Sequence, residues 1–261
     1  MPGGAVKVAT AAVTRSPAGP ACLIPNAPGS WTKNCPVASR SPRRAIDAQS
    51  AEPGIGAEVR ADLDRQLRDK LRPVDDPTDI PPWNLPELAD LLPAGQSLRP
   101  AAVLIGLLPG EQGPSVLLTR RHEAMTHHAG QIAFPGGRRE PGDPGWLDTA
   151  SREAEEEVGV PRAQVNPLGL LAPYATISGF TVTPVVAWLE GEFDRVAQDT
   201  EVAEIFEAPL SWLVDPQRRR WEKIHWRGRE RGYWVIDYQQ YRIWGATAAM
   251  LVDLARTLEQ R

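Results

Sequence analysis

The segment Arg152–Gly159, which reads REAEEEVG, places three carboxylates at spacings that can bind a cation. At about 100° of rotation per helical residue, Glu153 and Glu157 lie on one face and Glu156 lies one step further round. Like charges four residues apart repel each other. A hard divalent cation removes this repulsion, since Mg²⁺ takes oxygen ligands and shares its coordination sphere with phosphates. For such an acidic run taken alone, a solvated helix face is the alternative interpretation.

A glycine turn precedes this acidic segment. A short strand is predicted over Gln131–Phe134, and it ends at Pro135, Gly136 and Gly137, fifteen residues before Arg152. The backbone N–H groups of a glycine-rich loop between a strand and a helix can approach an anion closely. The turn and the acidic helix together predict a site that handles a cation and a phosphate.

The pattern Gly137-x5-Asp143-x8-Arg152-Glu153-x2-Glu156-Glu157-x-Gly159 resembles the Nudix box, which reads G-x5-E-x7-R-E-U-x-E-E-x-G-U, with U a bulky aliphatic residue. The first acid is Asp rather than Glu, the spacer before the Arg is one residue longer, and an Ala replaces the first aliphatic residue. The resemblance implies an α+β fold, the Nudix α/β/α sandwich with a mixed sheet. It also implies the catalytic residues and their roles: a divalent metal, Mg²⁺ or Mn²⁺, bound by Glu153, Glu156 and Glu157, and an ion pair through which Arg152 orients these carboxylates.

The residues before the glycine turn are similar to those of the coenzyme A pyrophosphatase subgroup, L-L-T-x-R-S-x-x-L-R-x-H-x-G-Q-V-x-F-P-G-G. The match covers about residues 99–256. The subgroup pattern has Ser, Leu and Arg where this chain has His122, Met125 and Thr126. The resemblance implies a small-molecule substrate, a diphosphate like coenzyme A, and substrate-binding residues Arg121, His128, Gln131, Gly136 and Gly137.

The implied reaction is hydrolysis of the diphosphate of coenzyme A or its derivatives, which gives 4′-phosphopantetheine and adenosine 3′,5′-bisphosphate. Thr126 replaces a cation that could hold a substrate phosphate, so a broader nucleoside-diphosphate-X hydrolase, acting on ADP-ribose or dinucleotides, is an alternative. A non-catalytic Nudix domain that binds ligands is another. Arg121 as a surface residue and His128 as a packed or capping histidine are the alternatives to substrate contacts, and Glu201 and Glu204 are either an additional base or metal ligand or ordinary surface acids.

Composition divides the 261-residue chain into three parts. Residues 1–54 are rich in Ala, Pro, Ser and Gly without apolar periodicity, which predicts a disordered leader. Residues 55–98 are predicted to form a helical segment that packs on the main domain, with a helix over 56–72 whose apolar residues recur four apart. Residues 99–261 are the predicted Nudix domain, with strands before and after the acidic helix and a closing helix over 244–258.

Charge, hydropathy and cysteine content narrow the partners and the location. The net charge of −4 is not that of an obvious nucleic-acid binder. The basic segment Arg218–Arg231 is more simply a polar hairpin, with its turn at 227–232 and its tryptophans on the core, than a nucleic-acid patch. No apolar run approaches the ~20 residues that span a bilayer. Only Cys22 and Cys35 are present, which favours a reducing, cytoplasmic location, or an organellar one if the basic leader is a transit peptide. The oligomeric state stays open.

Overall fold

A computed structural model describes the chain over residues 55–76, 78–92, 97–123 and 128–260. The interpretations of the leader and of Thr126 concern residues outside these ranges.

The larger of two sheets contains eight strands. Their bounds are β1 Arg99–Leu108, β2 Ser115–Arg121, β3 Ile132–Ala133, β4 Gly136–Arg138, β5 Val165–Leu170, β6 Tyr174–Ala175, β7 Phe180–Leu189 and β8 Val202–Pro209. The central path runs β3–β2–β1–β7–β5, while β4 pairs with β1, β6 with β7 and β8 with β2. Strands β1 and β7 are parallel and the other pairs are antiparallel, so the sheet is mixed.

Helices cover both faces of this sheet. Their bounds are α1 Ile55–Lys70, α2 Leu85–Leu88, α3 Trp146–Val158, α4 Leu210–Leu213 and α5 Ala246–Glu259, with a 3-10 turn at Arg162–Gln164. Helix α3 packs on one face against β1, β4 and β7, while α1 and α5 contribute to the core on the other face. Because β1 and β7 are covered on both faces, their sequences read as nearly continuous apolar runs. This architecture confirms the predicted α+β fold with an α/β/α sandwich. Among the described residues, no helix is long and apolar enough to cross a membrane.

The amphipathic character predicted for residues 56–72 is largely confirmed. Leu67 is fully buried and Leu71 is 7% exposed, so α1 and the residue that follows it contribute these side chains to the core. The spacing of four that joins Leu63, Leu67 and Leu71 also predicts Val59 on the same face, but Val59 is 45% exposed. The apolar face is therefore confined to the C-terminal half of α1, where the helix contacts α5 and β5.

The smaller sheet corrects the predicted basic hairpin. It contains β9 Arg219–Trp226, β10 Arg229–Tyr238 and β11 Tyr241–Trp244 in the order β11–β10–β9. The turn was predicted over residues 227–232, but it consists of Arg227 and Gly228 alone, with φ of 48° and 80°. Two residues of positive φ match the twist of a hairpin, so the strands continue almost to the tip. The tryptophans do not all pack on the core, since Trp221 is 47% exposed.

Candidate active site

Helix α3 presents the acidic segment in a fixed orientation. Ala150, Ala154 and Val158 are fully buried in the core cluster between α3 and the sheet. The helix ends at Gly159, whose left-handed φ of 74° allows its N–H to bond the carbonyls of Ala154 and Glu155. Burial of the small apolar face therefore determines which way the charged face points.

Arg152 connects the acidic side chains around α3. Its Nη1 donates to Glu153 at 3.0 Å and to Glu156 at 3.3 Å, and its Nη2 donates to the carbonyl of Arg138 at 3.0 Å. The side chain is only 12% exposed. The guanidinium therefore holds two of the three glutamates in place.

Asp143 anchors this arginine. Its two carboxylate oxygens accept from Arg152 Nε at 3.1 Å and from Nη2 at 3.0 Å. The backbone N–H of Glu140 and the hydroxyl of Thr149 also donate to Asp143, at 2.9 Å and 3.0 Å. The hydrogen bonds from Arg152 lower the pKa of Asp143 to about 2. Asp143, the first acid of the box, thus holds Arg152 in place, a role that the sequence pattern does not reveal.

Glu157 is the buried carboxylate of the cluster. It is 4% exposed, and one oxygen accepts a hydrogen bond from the backbone N–H of Gly136 at 3.1 Å. Burial raises the pKa of Glu157 to about 7, against the lowering effect of that hydrogen bond and of the nearby Arg121 charge. An additional positive charge near Glu157 would therefore stabilise the ionised form of its carboxylate.

Gly136 and Gly137, which the sequence predicts as a turn, instead begin strand β4, and their backbone lies in close contact on two sides. A β-carbon on Gly136 would meet the Val103 backbone at 2.6 Å, and its φ of 157° also disfavours a side chain. A β-carbon on Gly137 would lie 2.6 Å from the carboxyl carbon of Glu153. Gly136 thus allows β4 to lie close to β1, and Gly137 allows it to lie close to the Glu153 carboxylate of α3. The pKa of Glu153 is raised, chiefly by burial.

The three glutamates fit a divalent cation by the chemistry of their donors, which are hard carboxylate oxygens. Their arrangement is not closed around an ion. Within the described ranges, no group of three or more His, Cys, Asp or Glu side chains is arranged to hold a metal ion. Glu156, with a side chain 53% exposed, points furthest into solvent. A cation there would complete its coordination with water or phosphate oxygens.

Arg121 lies close to two carboxylates, those of Glu157 and Glu201. Its charge acts on Glu157, and its Nη2 lies 3.5 Å from a carboxylate oxygen of Glu201. The Nε of Arg121 is buried and has no hydrogen-bond partner among the residues that the structure describes. This arginine retains donor capacity at the carboxylate cluster, so it is not an ordinary surface residue.

His128 and Gln131 form a pair next to Arg121. The Nδ1 of His128 lies 2.8 Å from the side-chain oxygen of Gln131. The carbonyl of Gln131 accepts from the backbone N–H of Arg121 at 2.9 Å. His128 is exposed and has a φ of 60°. The pair is connected to Arg121 through the backbone, and no contact between the pair and the α3 carboxylates is observed among the described residues.

The structure separates the two acids for which the sequence left a choice. Glu201 forms the ion pair with Arg121, and its charge raises the pKa of both Glu153 and Glu157. Glu204 accepts hydrogen bonds from the Tyr241 hydroxyl at 2.6 Å and from Arg120 Nε at 3.0 Å, and these lower its pKa. The Glu201 side chain therefore faces the carboxylate cluster, whereas the Glu204 side chain links β8 to β2 and β11.

The basic hairpin is largely neutralised by acids. Arg220 pairs with Glu222 and Asp237, and Arg231 pairs with Asp90 at 2.5 Å. Further ion pairs join Lys223 to Glu230, Arg218 to Asp215 and Arg219 to Glu259. Paired cations attract phosphates weakly, which disfavours the nucleic-acid interpretation of this segment.

Comparison with known proteins identifies the family of this chain. The NUDIX domain model matches residues 97–227. A protein of Yersinia enterocolitica named "Uncharacterized Nudix hydrolase NudL" is 42% identical over 156 residues, which cover 60% of this chain and 80% of that protein. Its namesake in Photorhabdus laumondii is 40% identical over 161 residues, which cover 62% of this chain and 86% of that protein. A solved MutT/nudix family protein from Enterococcus faecalis is 14% identical with a TM-score of 0.41, over 81% of this chain and 76% of that one. Nudix hydrolases generally use divalent metal ions. The chain belongs to the Nudix family and is a pyrophosphohydrolase.

Proposed function

We propose that the enzyme hydrolyses the diphosphate of coenzyme A or its derivatives. Water attacks one phosphorus, the bridging P–O bond breaks, and the products are 4′-phosphopantetheine and adenosine 3′,5′-bisphosphate. Support comes from Arg121, His128 and Gln131, which match the coenzyme A pyrophosphatase pattern. The charge of Arg121 acts on Glu157 of α3, and His128 and Gln131 are connected to Arg121 through the Gln131 carbonyl.

The position of Arg121 is the observation on which this proposal depends most. It lies beside Glu157 with a side chain 23% exposed and with a free Nε donor among the described residues. A planar guanidinium binds phosphate oxygens through two parallel N–H groups. An anionic substrate would thus meet Arg121 at one end of the cluster, with the backbone of Gly136 and Gly137 next to the carboxylates.

The proposed metal ligands are Glu153, Glu156 and Glu157, and the ion is Mg²⁺ or Mn²⁺. When bound, such an ion neutralises phosphate oxygens and lowers the pKa of a coordinated water. Arg152 then has a positioning role, because it hydrogen-bonds Glu153 and Glu156 while Asp143 fixes its guanidinium. Glu157 is positioned by the Gly136 N–H.

A substrate panel tests the proposal. The measurement is kcat/KM for coenzyme A, dephospho-coenzyme A, ADP-ribose and a diadenosine polyphosphate, with identified products, for the wild type and for R121A. We expect coenzyme A to be the best substrate. If Arg121 binds the 3′-phosphate of coenzyme A, R121A should lower the ratio of kcat/KM for coenzyme A to kcat/KM for dephospho-coenzyme A by about 10-fold or more. The reason is that one charge-assisted contact contributes roughly 1.5–3 kcal/mol.

Two outcomes would replace the proposal. A tenfold or greater preference for ADP-ribose or a dinucleotide would identify a broader nucleoside-diphosphate-X hydrolase. No cleavage of any substrate with either Mg²⁺ or Mn²⁺ would favour a ligand-binding Nudix domain. R162A is the matched control. Arg162 forms an exposed ion pair with Glu155 of α3, the helix that carries the three proposed ligands, but it has no contact with those ligands. It should leave kcat/KM unchanged.

A further inference from the structure

A cavity lies apart from the carboxylate cluster of α3. Its volume is about 230 Å³, and it opens where α5 and the hairpin β9–β10 meet β6, α2 and Trp83 before α2. No residue of α3 or of β4 lines it. The residues that give it its character are Trp83, Glu87, Tyr174, Trp221, Trp234 and Arg256. We call it the aromatic cleft.

Two pairs of aromatic rings form the walls of the aromatic cleft. Trp83 and Tyr174 meet edge to face with centroids 5.4 Å apart, and Trp221 and Trp234 do so at 5.0 Å. Trp83 is 37% exposed and Trp221 is 47% exposed. Large aromatic surface is thus left open to solvent within a concave site, a feature typical of ligand sites.

The indole of Trp221 packs directly over Gly232 on the neighbouring strand. A β-carbon on Gly232 would overlap the Trp221 ring. Residues 221 and 234 are directly opposite in the register of β9 and β10, so both indoles stand on the same face of the hairpin. The ring is therefore positioned by strand pairing and by the absence of a side chain at 232.

The cleft also carries one charge of each sign. The Arg256 guanidinium carbon lies 5.9 Å from the centroid of the Trp234 ring, and Glu87 is exposed. Neither side chain forms an ion pair with any residue that the structure describes. Arg256 can therefore accept an anionic group and Glu87 can accept a hydrogen bond from an amine.

We propose that the aromatic cleft binds a purine nucleotide, with the base against the tryptophan rings and the phosphate on Arg256. At about 230 Å³ the cleft is smaller than the roughly 300–1,000 Å³ pockets of drug-sized ligands, so it suits a single base whose ribose and phosphate extend towards Arg256 and solvent. Base stacking on indoles needs only a flat π-face, and Glu87 is suited to the amino group of adenine or guanine. A simple cation fits less well, because Arg256 already brings positive charge to the same rings.

Calorimetric titration of the full-length protein with AMP, GMP and ribose 5-phosphate tests this site. AMP and GMP contain no diphosphate linkage, so they bind without turnover. We expect AMP or GMP to bind and ribose 5-phosphate to bind at least about fivefold more weakly. W221A should weaken nucleotide binding by about 5- to 150-fold, the range for one lost base–aromatic stack. R256A should weaken it by about tenfold or more.

Two further variants make the test specific. G232A should also weaken binding, because the added β-carbon displaces the Trp221 ring without deleting it. W244A is the control, since Trp244 is 41% exposed on the same sheet but does not line the cleft. Equal binding by W221A and W244A would overturn the proposal. So would loss of AMP and GMP binding in R121A with retention in W221A and R256A, because the nucleotide would then bind at the carboxylate cluster.

The nucleotide could be a free ligand or the adenine end of a bound substrate, and kinetics separates the two sources. If W221A raises KM for the best diphosphate substrate by fivefold or more with kcat unchanged, the cleft is a substrate subsite. If KM is unchanged while AMP binding is lost, the cleft takes a free nucleotide. The titrations require no assumption about coenzyme A, so failure of the proposed substrate leaves this test intact.

Discussion

Arg152 donates to both carboxylate oxygens of Asp143, from Nε at 3.1 Å and from Nη2 at 3.0 Å, and this pair joins the loop before α3 to the helix itself. Both side chains are nearly buried, with 12% and 7% exposed. The same guanidinium also bonds Glu153 and Glu156. The geometry of the acidic helix thus depends on a residue in a loop.

D143N should destabilise the protein by about 2 kcal/mol, because it weakens two charge-assisted hydrogen bonds to a nearly buried arginine. Urea denaturation measures the effect. E155Q is the matched control, since Glu155 of α3 pairs with Arg162 of the following 3-10 turn, and both side chains are about half exposed. That exposed pair should contribute less than about 1 kcal/mol. Equal losses of unfolding free energy in D143N and E155Q would contradict the conclusion that Asp143 holds Arg152 in place.

The contribution of Asp143 should disappear in acid. Arg152 lowers its folded-state pKa from 3.8 to about 2. The ionised carboxylate therefore stabilises the fold fully above about pH 4, and this stabilisation is lost as the pH falls from about 4 towards 2. The difference in unfolding free energy between wild type and D143N should shrink over that window, as measured by denaturation at pH 5, 3 and 2. A difference that is constant with pH would show that the charge of Asp143 is not responsible.

E157Q should separate stability from activity. The carboxylate of Glu157 is 4% exposed, and burial opposes its charge, so the neutral amide should leave the melting temperature in EDTA unchanged or raise it. If Glu157 is a metal ligand, turnover should fall by at least about 100-fold. The stabilisation of wild type by excess Mg²⁺, about 3 kcal/mol at one hundred times Kd, should also be lost. E155Q should retain both turnover and the Mg²⁺ effect, and an E157Q enzyme with normal Mg²⁺ stabilisation would exclude Glu157 as a ligand.

Helix α3 could be predicted from the sequence because its determinants are local. Alanines and a valine at positions 150, 154 and 158 define the buried face, and Gly159 ends the helix with a positive φ. The apolar spacing and Gly159 predict a helix over about Leu147–Val158, and the observed bounds, Trp146–Val158, differ by one residue. Sequence spacing alone was therefore sufficient to place the three glutamates together on one helix, but it did not reveal that Glu157 is buried.

The remainder of the site depends on tertiary structure that spacing does not reveal. Arg121 and Glu201 are eighty positions apart, and they meet because β2 pairs with β8, with a shift in register between Arg120 and Arg121. Nothing in the local sequence distinguishes Glu201, at the start of that pairing, from Glu204, which is bound by Tyr241. The pairing of Asp143 with Arg152 likewise depends on the path of a loop, since the carboxylate is nine residues before its partner.

G137A should reduce activity without unfolding the protein. The added β-carbon would lie 2.6 Å from the carboxyl carbon of Glu153, so that side chain must move away from the position in which Arg152 holds it. A misplacement of about 1 Å at a catalytic group costs about 100-fold in rate, and we expect kcat to fall by that order while urea denaturation shows a loss below about 2 kcal/mol. G142A is the control, because a β-carbon on Gly142 in the following loop would meet nothing within 4 Å. Its kcat should match the wild type. If G137A and G142A turn over substrate equally, close approach of the β4 backbone at Gly137 to Glu153 is not required for hydrolysis.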